Sequence, residues 1–225
     1  MTYLLNPFTF GGCSGDAIST TSLAAYYKFN GTATDSGPNG LNATLTGSPT
    51  YTTGKYSDAI NLNGTSQYAV VSDSTFLEGS SGNISVFCWV KITDFSSELN
   101  QHAVSKWTAS NGWRLVLQST GNILVSLAAT NVGRGSGIPT GSWVHIGFTY
   151  NNSTLKVYYN GSQAGTDATV SSATLANSQE MHIGKRSSGT DGYVKGQIDE
   201  VNVWQRVLSS TEVSTLYNST CPLKS

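Results

Sequence analysis

The sequence predicts an all-β protein, a two-sheet antiparallel jelly-roll sandwich with one short C-terminal helix. Three observations carry this. Short runs rich in Val, Ile, Tyr, Phe and Trp recur along the 225 residues, with Gly, Asn and Ser turn signals between them. No helical stretch separates consecutive runs, so the βαβ alternation of a parallel sheet is missing. The one helix signature comes late, after the run GQIDEVNVW.

Residues 1–22 stand apart. Leu4, Leu5, Phe8 and Phe10 crowd a stretch without periodicity that ends in the flexible GGCSGD, and this reads as an arm that docks on its own domain or on a partner. From Leu23 the strands begin with AAYYKFNG, AINLNG and QYAVVS, and NISVFCWVKI is the longest apolar run. HAVSKW, GWRLVLQS and NILVSLAA follow, joined at Asn111-Gly112 and at Thr120-Gly121-Asn122. GRGSG at 133–137 opens no helix and reads as a loop, which argues against a phosphate cradle. SWVHIGFTY puts Val144, Ile146, Phe148 and Tyr150 on one face and turns His145 to the other, a surface or second-face position. TLKVYYNG ends in Asn160-Gly161, the signal of a tight hairpin. MHIGK and GQIDEVNVW complete a domain spanning 23–218, and 219–225 form a tail.

In IDEVNVW, alternate residues share a face, so Asp199 should lie beside Val201 and Val203, with Glu200 opposite. A carboxylate on an apolar face needs a partner. Just beyond, Ser209 and Glu212 have capping-box spacing. Leu208 and Val213 are placed as a hydrophobic staple, and Val213, Leu216 and Tyr217 mark one helix face.

Composition narrows the function. Only 11% of residues are charged, against about 25% in ordinary soluble domains. Net charge is −1 and no basic run appears, which disfavours nucleic acid. No run approaches the ~20 apolar residues of a membrane helix, and MTYLLNPFTFGG lacks the basic start of a secretion signal. The three cysteines, Cys13, Cys88 and Cys221, form no C-x-x-C pair. Cys88 reads as a small buried hydrophobe, whereas Cys13 and Cys221 flank the domain and pair only if its ends meet.

Four segments in fixed order, AYYKFNGTATDSGPNG, KYSDAINLNGTSQYAVV, WVHIGFTYNNSTLKVYYNG and HIGKRSSGTDGYVKGQIDEVNVWQRVLSSTEV, together with SVFCWVK, resemble the laminin-G-like, concanavalin A-like jelly rolls, including their pentraxin-related branch. The resemblance covers roughly residues 23–218. It implies a structural calcium ion near the loop after the first strand, here TDSGPNGLN, held by Asp35, Asn39, Asn42 and Asp199. Calcium takes six to eight oxygens at about 2.3–2.6 Å. The alternative is a clasp without metal, in which Asp199 accepts backbone N–H bonds from that same loop and Asp35 makes an Asx-turn.

Catalytic signals are weak. Related glycosidases carry two acids on one strand facing one cleft, and no such spacing occurs here. His102, His145 and His182 are scattered, and no GxSxG elbow is present. Aromatics are the better clue, since sugars stack on exposed rings while amides and carboxylates meet their hydroxyls. Trp107, Trp113 and Tyr193, with Asn111, Arg114 and Asp191 nearby, form the candidate carbohydrate site. The bland alternative is that these rings close the sandwich ends.

The expectation is therefore a non-enzymatic bacteriophage virion component, a capsid decoration protein or tail-associated adhesin on the virion surface. It would dock on a virion structural protein through the arm and meet surface glycans. Self-association is left open. The alternative is an extracellular carbohydrate-binding or adhesion module of a secreted bacterial protein.

Overall fold

The computed structural model describes residues 18–219 and 223. Strands follow in chain order as β1 (Leu23–Tyr27), β2 (Thr44–Thr46), β3 (Thr50–Thr53), β4 (Asp58–Asn63), β5 (Tyr68–Val71), β6 (Asn83–Ile92), β7 (Asn100–Trp107) and β8 (Gly112–Gln118). They continue as β9 (Asn122–Leu127), β10 (Thr130–Gly135), β11 (Val144–Asn151), β12 (Thr154–Tyr159), β13 (Ser162–Gln163), β14 (Ala168–Thr169), β15 (Met181–Ile183) and β16 (Lys195–Trp204). One α-helix, α1 (Ser210–Asn218), closes the series.

The strands form two antiparallel sheets. A nine-stranded sheet runs β13-β12-β11-β6-β16-β4-β3, with β1 also on β16 and β14 on β12. A seven-stranded sheet runs β10-β9-β8-β7-β15-β5-β2. The period-2 alternation of each strand sorts its side chains. Val86, Cys88, Val90 and Ile92 of β6, Ile146, Phe148 and Tyr150 of β11, and Trp113, Leu115 and Leu117 of β8 all enter the core between the sheets. Cys88 is fully buried there as a free thiol, which burial pushes up in pKa.

The Asn160-Gly161 hairpin joins β12 to β13 with both residues at positive φ, 47° and 78°, as a tight primed turn requires. The capping box is present: Ser209 Oγ accepts from Glu212 N at 3.2 Å, and Glu212 Oε2 accepts from Ser209 N at 2.8 Å. Leu208 and Val213 share one cluster, as the staple spacing requires.

Several expectations are corrected. Gly133 to Gly135 belong to β10, paired with β9, so GRGSG is only partly loop. Residues 18–22, grouped with the arm, pack on the sandwich of their own chain. Ile18 is buried, and the guanidinium of Arg206 donates to the carbonyls of Ser19 and Thr21. In the tail, Leu223 is buried in the same apolar cluster as Ile18. Leu4, Leu5, Phe8, Phe10, Cys13 and Cys221 lie outside the described residues.

The largest correction concerns Asp199. Asp199 pairs with Trp89 and Asn202 with Phe87, so β16 spends one residue more than β6 over this span. That is a β-bulge, with Glu200 at φ 52°. The extra residue shifts the alternation. Ile198, Val201 and Val203 face the core, whereas Asp199 faces outward with its partner Trp89. Glu200 joins it there rather than opposing it, with its carboxylate accepting from the Tyr26 hydroxyl.

Candidate functional site

The sandwich has two outer faces. On the nine-stranded sheet, the outer side chains Phe87, Tyr158 and Trp204 are covered by Val213 of α1 together with Leu208, Ile18 and Leu223. Tyr217 of α1 stacks on Trp89 at 5.4 Å, and Trp89 lies 5.2 Å from His145. His145 is therefore on the second face, but buried rather than at the surface.

Under this cover lie Asp199, 0% exposed, and Glu200, 4% exposed. Asp199 Oδ2 accepts from Lys55 N at 2.9 Å and Tyr56 N at 3.0 Å. The clasp thus comes from the turn before β4, not from the loop after β1. A Cβ on Gly54 would stand 2.6 Å from the Asp58 carbonyl carbon and 2.7 Å from this same carboxylate oxygen, so the turn has no room for a side chain there. Burial pushes Asp199 up to about 7, against the pull of the Tyr56, Lys55 and Glu200 N–H groups. Burial likewise pushes Glu200 up to about 8, with the Tyr26 hydrogen bond opposing and the Asp199 charge adding to it. A polysaccharide cannot reach either carboxyl, so their adjacency does not make a glycosidase pair.

The four residues expected to hold calcium are not brought together. Asp35 Oδ1 accepts from Tyr26 N at 2.8 Å and Gly37 N at 2.7 Å, and Oδ2 accepts from Leu41 N at 2.9 Å. Asn42 Oδ1 accepts from Asp35 N at 2.9 Å, while Asn39 turns its amide donor to the carbonyls of Leu23 and Ala24. Backbone donors converge on the loop carboxylate, and the second carboxylate belongs to another turn. As arranged, the set does not fit a calcium shell. Among the described residues no three His, Cys, Asp or Glu side chains gather as a metal site.

The outer face of the seven-stranded sheet is different. Register aligns His182 with Ser105, Ser105 with Arg114, and Arg114 with Ser126 across β15, β7, β8 and β9. The segment 184–194 folds over part of this row. Ser187 Oγ meets Ser105 Oγ at 3.0 Å, and it accepts from Trp107 N at 2.8 Å. Arg114 lays its guanidinium on the Trp107 ring at 3.6 Å and donates to Ser126 Oγ at 2.8 Å. Trp107 Nε1 donates to the carbonyl of Ala128 at 2.9 Å, which fixes the ring's tilt. Arg186 Nε holds Asp191 Oδ1 at 2.7 Å. Tyr193 meets Tyr68 edge to face at 6.0 Å, and Lys185 Nζ lies 4.9 Å from the Tyr68 ring centre and 5.6 Å from that of Tyr193. Trp107, Arg114, Asp191, Tyr193 and Tyr68 are all half-buried, with surface left to meet a ligand.

Of the residues expected for sugar, Trp107, Arg114, Asp191 and Tyr193 therefore share this face. Trp113 does not. It is 0% exposed on the core side of β8, with Nε1 donating to the carbonyl of Leu77 at 2.8 Å. Asn111 closes the turn between β7 and β8, its N–H on Thr108 Oγ1 at 3.0 Å, and no contact ties it to the cluster. Tyr68, Lys185 and Arg186 were not anticipated. A concavity of about 350 Å³, lined by Thr75, Glu78, Ser81, Asn152, Thr174 and Leu175, opens at one end of the sandwich and carries no aromatic ring.

Fold and faces define a lectin-type jelly-roll sandwich. The chain belongs to the concanavalin A-like lectin/glucanases superfamily, through its Laminin_G_3 family profile, which matches residues 63–214. Among solved structures, it is similar to domain 4 of AbnA, an extracellular arabinanase from Geobacillus stearothermophilus, determined in complex with arabinotriose. That match has 25% identity and a TM-score of 0.70, over 88% of this chain and 98% of the domain. The binding domain of Paraclostridial mosquitocidal protein 1 superposes with a TM-score of 0.72 at 18% identity, over 88% of this chain and 52% of the other. The binding domain of botulinum neurotoxin DC in complex with SialylT gives 0.71 at 12% identity, again over 88% and 52%. The chain thus spans about half the length of these toxin domains, and at such identities they show the fold alone. A search of curated protein sequences returned no match.

Proposed function

We propose that this chain is a non-catalytic carbohydrate-binding domain that takes a glycan on the outer face of its seven-stranded sheet. The observation that carries the reading is the joint placement of half-buried Tyr68, Tyr193 and Trp107 with Arg114 and the Arg186–Asp191 pair. Rings of this kind offer apolar faces to a pyranose or furanose, and the polar groups between them meet hydroxyls. The likeness to an arabinanase domain solved with arabinotriose supports the same ligand class. Isothermal titration against a panel that includes arabino-oligosaccharides tests it. Wild type binds at least one glycan, and Tyr193→Ala and Trp107→Ala each weaken that binding about tenfold, or 1.4 kcal/mol, in chains that stay folded, Trp107→Ala with a lowered Tm for its lost bond to the Ala128 carbonyl. Affinity unchanged by both substitutions would contradict the placement.

The apolar crowding of Leu4, Leu5, Phe8 and Phe10 favours a more specific setting. In it, the domain is displayed on a bacteriophage virion and anchored to a virion structural protein by its first residues. Residues 18–22 pack on the sandwich, so the segment to remove is 1–17. Its deletion leaves a folded glycan-binding domain that no longer enters the particle. Normal incorporation of the truncated chain would rule the arm out as the anchor.

A further inference from the structure

Two lysines are buried among the described residues, and the fold treats them in opposite ways. Lys106, 0% exposed, is fully matched: its Nζ lies 2.8 Å from Asp73 Oδ1 and 3.4 Å from Glu78 Oε1, and donates to the carbonyl of Asn177 at 2.6 Å. Such a set offsets the cost of removing an ammonium from water. Lys185 is 7% exposed and has no such set. It lies against the faces of Tyr68 and Tyr193, and its acidic neighbour Asp191 is already held by Arg186. Burial, with the nearby Arg186 charge, lowers its pKa from the ordinary lysine value, while Asp191 opposes the shift.

The neighbours repeat the pattern. Arg114 is bonded to a hydroxyl and a ring, and no carboxylate pairs with it among the described residues. Arg186 has Asp191 alone. His102 and His182 border the cluster, with Nδ1 atoms that are buried and without a partner, and burial holds both below the usual histidine pKa, so they add no charge near neutral pH. On the acidic side, Glu180 stands at the rim, 3.8 Å from His182 and more than half exposed. Glu98 also stands near enough to Tyr193 for its charge to add to the upward shift of that phenol. The face therefore carries Arg114, Lys185 and Arg186 around one carboxylate already held by Arg186, with Glu180 and Glu98 at its margin. This occurs in a chain whose net charge is only −1. Surface charge of this sign focuses anions, and a cation against a ring keeps its attraction for an oxyanion arriving from the open side.

We infer that the ligand of this face is an anionic saccharide, whose carboxylate or sulfate seats against Lys185 between Tyr68 and Tyr193 while Arg114 on Trp107 meets a second anionic or hydroxyl group. The inference rests on the glycan reading above and narrows it to one chemical class. An ammonium already sheltered by two rings lacks only the oxyanion, and a guanidinium held flat on an indole presents its remaining N–H groups edge-on, in the fork that carboxylate and sulfate match.

The test is a glycan array carrying neutral, uronate, sialylated and sulfated glycans, probed with wild type, Lys185→Met and Lys185→Arg. The best acidic hit is then titrated beside its carboxyl-reduced or desulfated counterpart. Wild type should bind acidic glycans and lose at least tenfold in affinity on removal of the anionic group. Lys185→Met should lose at least tenfold on the acidic glycan while keeping its Tm, and Lys185→Arg should recover most of it. Which acidic arms bind shows whether carboxylate or sulfate is the group. Equal binding of neutral and acidic glycans, or acidic binding indifferent to Lys185→Met, would overturn the inference and leave the glycan reading standing. Binding to no glycan at all would remove both.

Discussion

The outer faces of the two sheets have opposite fates. That of the nine-stranded sheet is sealed by α1 with Ile18 and Leu223 over Phe87, Tyr158 and Trp204, and it hides two carboxyls at a bulge. That of the seven-stranded sheet is only partly covered, by 184–194, and keeps Tyr68, Trp107, Tyr193 and Arg114 half in solvent, with Lys185 tucked against the two tyrosines. Both faces hold aromatic and charged residues, so residue type alone does not tell a structural face from a binding face. Cover does. Where α1 packs down, charge is suppressed by burial, which favours the protonated carboxyls. Where it does not, charge stays available.

The largest break in that contrast comes from Trp204, fully buried on the sealed face with Nε1 on Asn202 Oδ1 at 2.9 Å. Trp204→Ala should cost about 3–5 kcal/mol in a denaturant melt, while the folded fraction binds glycan with unchanged affinity. A substitution there that altered affinity would mean that the two faces communicate.

The second test is pH. Asp199 and Glu200 have folded pKa values of about 7 and about 8, raised above the ordinary 3.8 and 4.5. Their stabilisation is therefore full below about pH 4 and is lost as pH rises through 7 to 8. His102 and His145, pushed down to about 3, act in the other direction, their contribution being present above 6.5 and lost as pH falls through 3. From pH 6.5 upward the carboxyls dominate, so Tm should fall between pH 6.5 and 8.5. Asp199→Asn should flatten that slope, since the amide oxygen can still accept from Lys55 and Tyr56. A Tm that rises over this range would contradict the burial of protonated carboxyls.

A smaller effect belongs to the helix that seals the face. Ser209→Ala removes the acceptor for Glu212 N and should cost about 1 kcal/mol, read as a lowered Tm. The smallest is chelation. With Asp35 held on both oxygens by backbone donors and Asp199 Oδ2 bound to Lys55 and Tyr56 N–H, chelator should leave Tm unchanged, and a chelator-induced drop reversed by calcium would restore the metal reading.

These two faces also mark where the sequence was legible. Long strands with strong alternation, such as β6, β8 and β11, were clear, as was α1, because its cap, staple and apolar stripe coincide. The short strands β2, β3, β13 and β14 were not read, since Thr- and Ser-rich edge strands of two to four residues carry little apolar signal. The bulge at Glu200 was illegible because no glycine or proline marks it, and without it the parity of Asp199 comes out inverted. Trp113 was readable in principle: it alternates with Leu115 and Leu117, which points it into the core, whereas Arg114 and Gln118 point out. Tyr68 and Lys185 lie 117 positions apart, and only the β5–β15 pairing brings their segments together.

The most direct test of the contrast between the faces is an amide NMR titration with the tightest-binding glycan from the array. The account predicts that shift changes concentrate at Tyr68, at 102–107, at Arg114 and along 184–193, and leave Phe87, Glu200, Trp204 and α1 unmoved. Shifts centred on the sealed face, or on the groove at Thr75–Ser81 and Thr174, would contradict it.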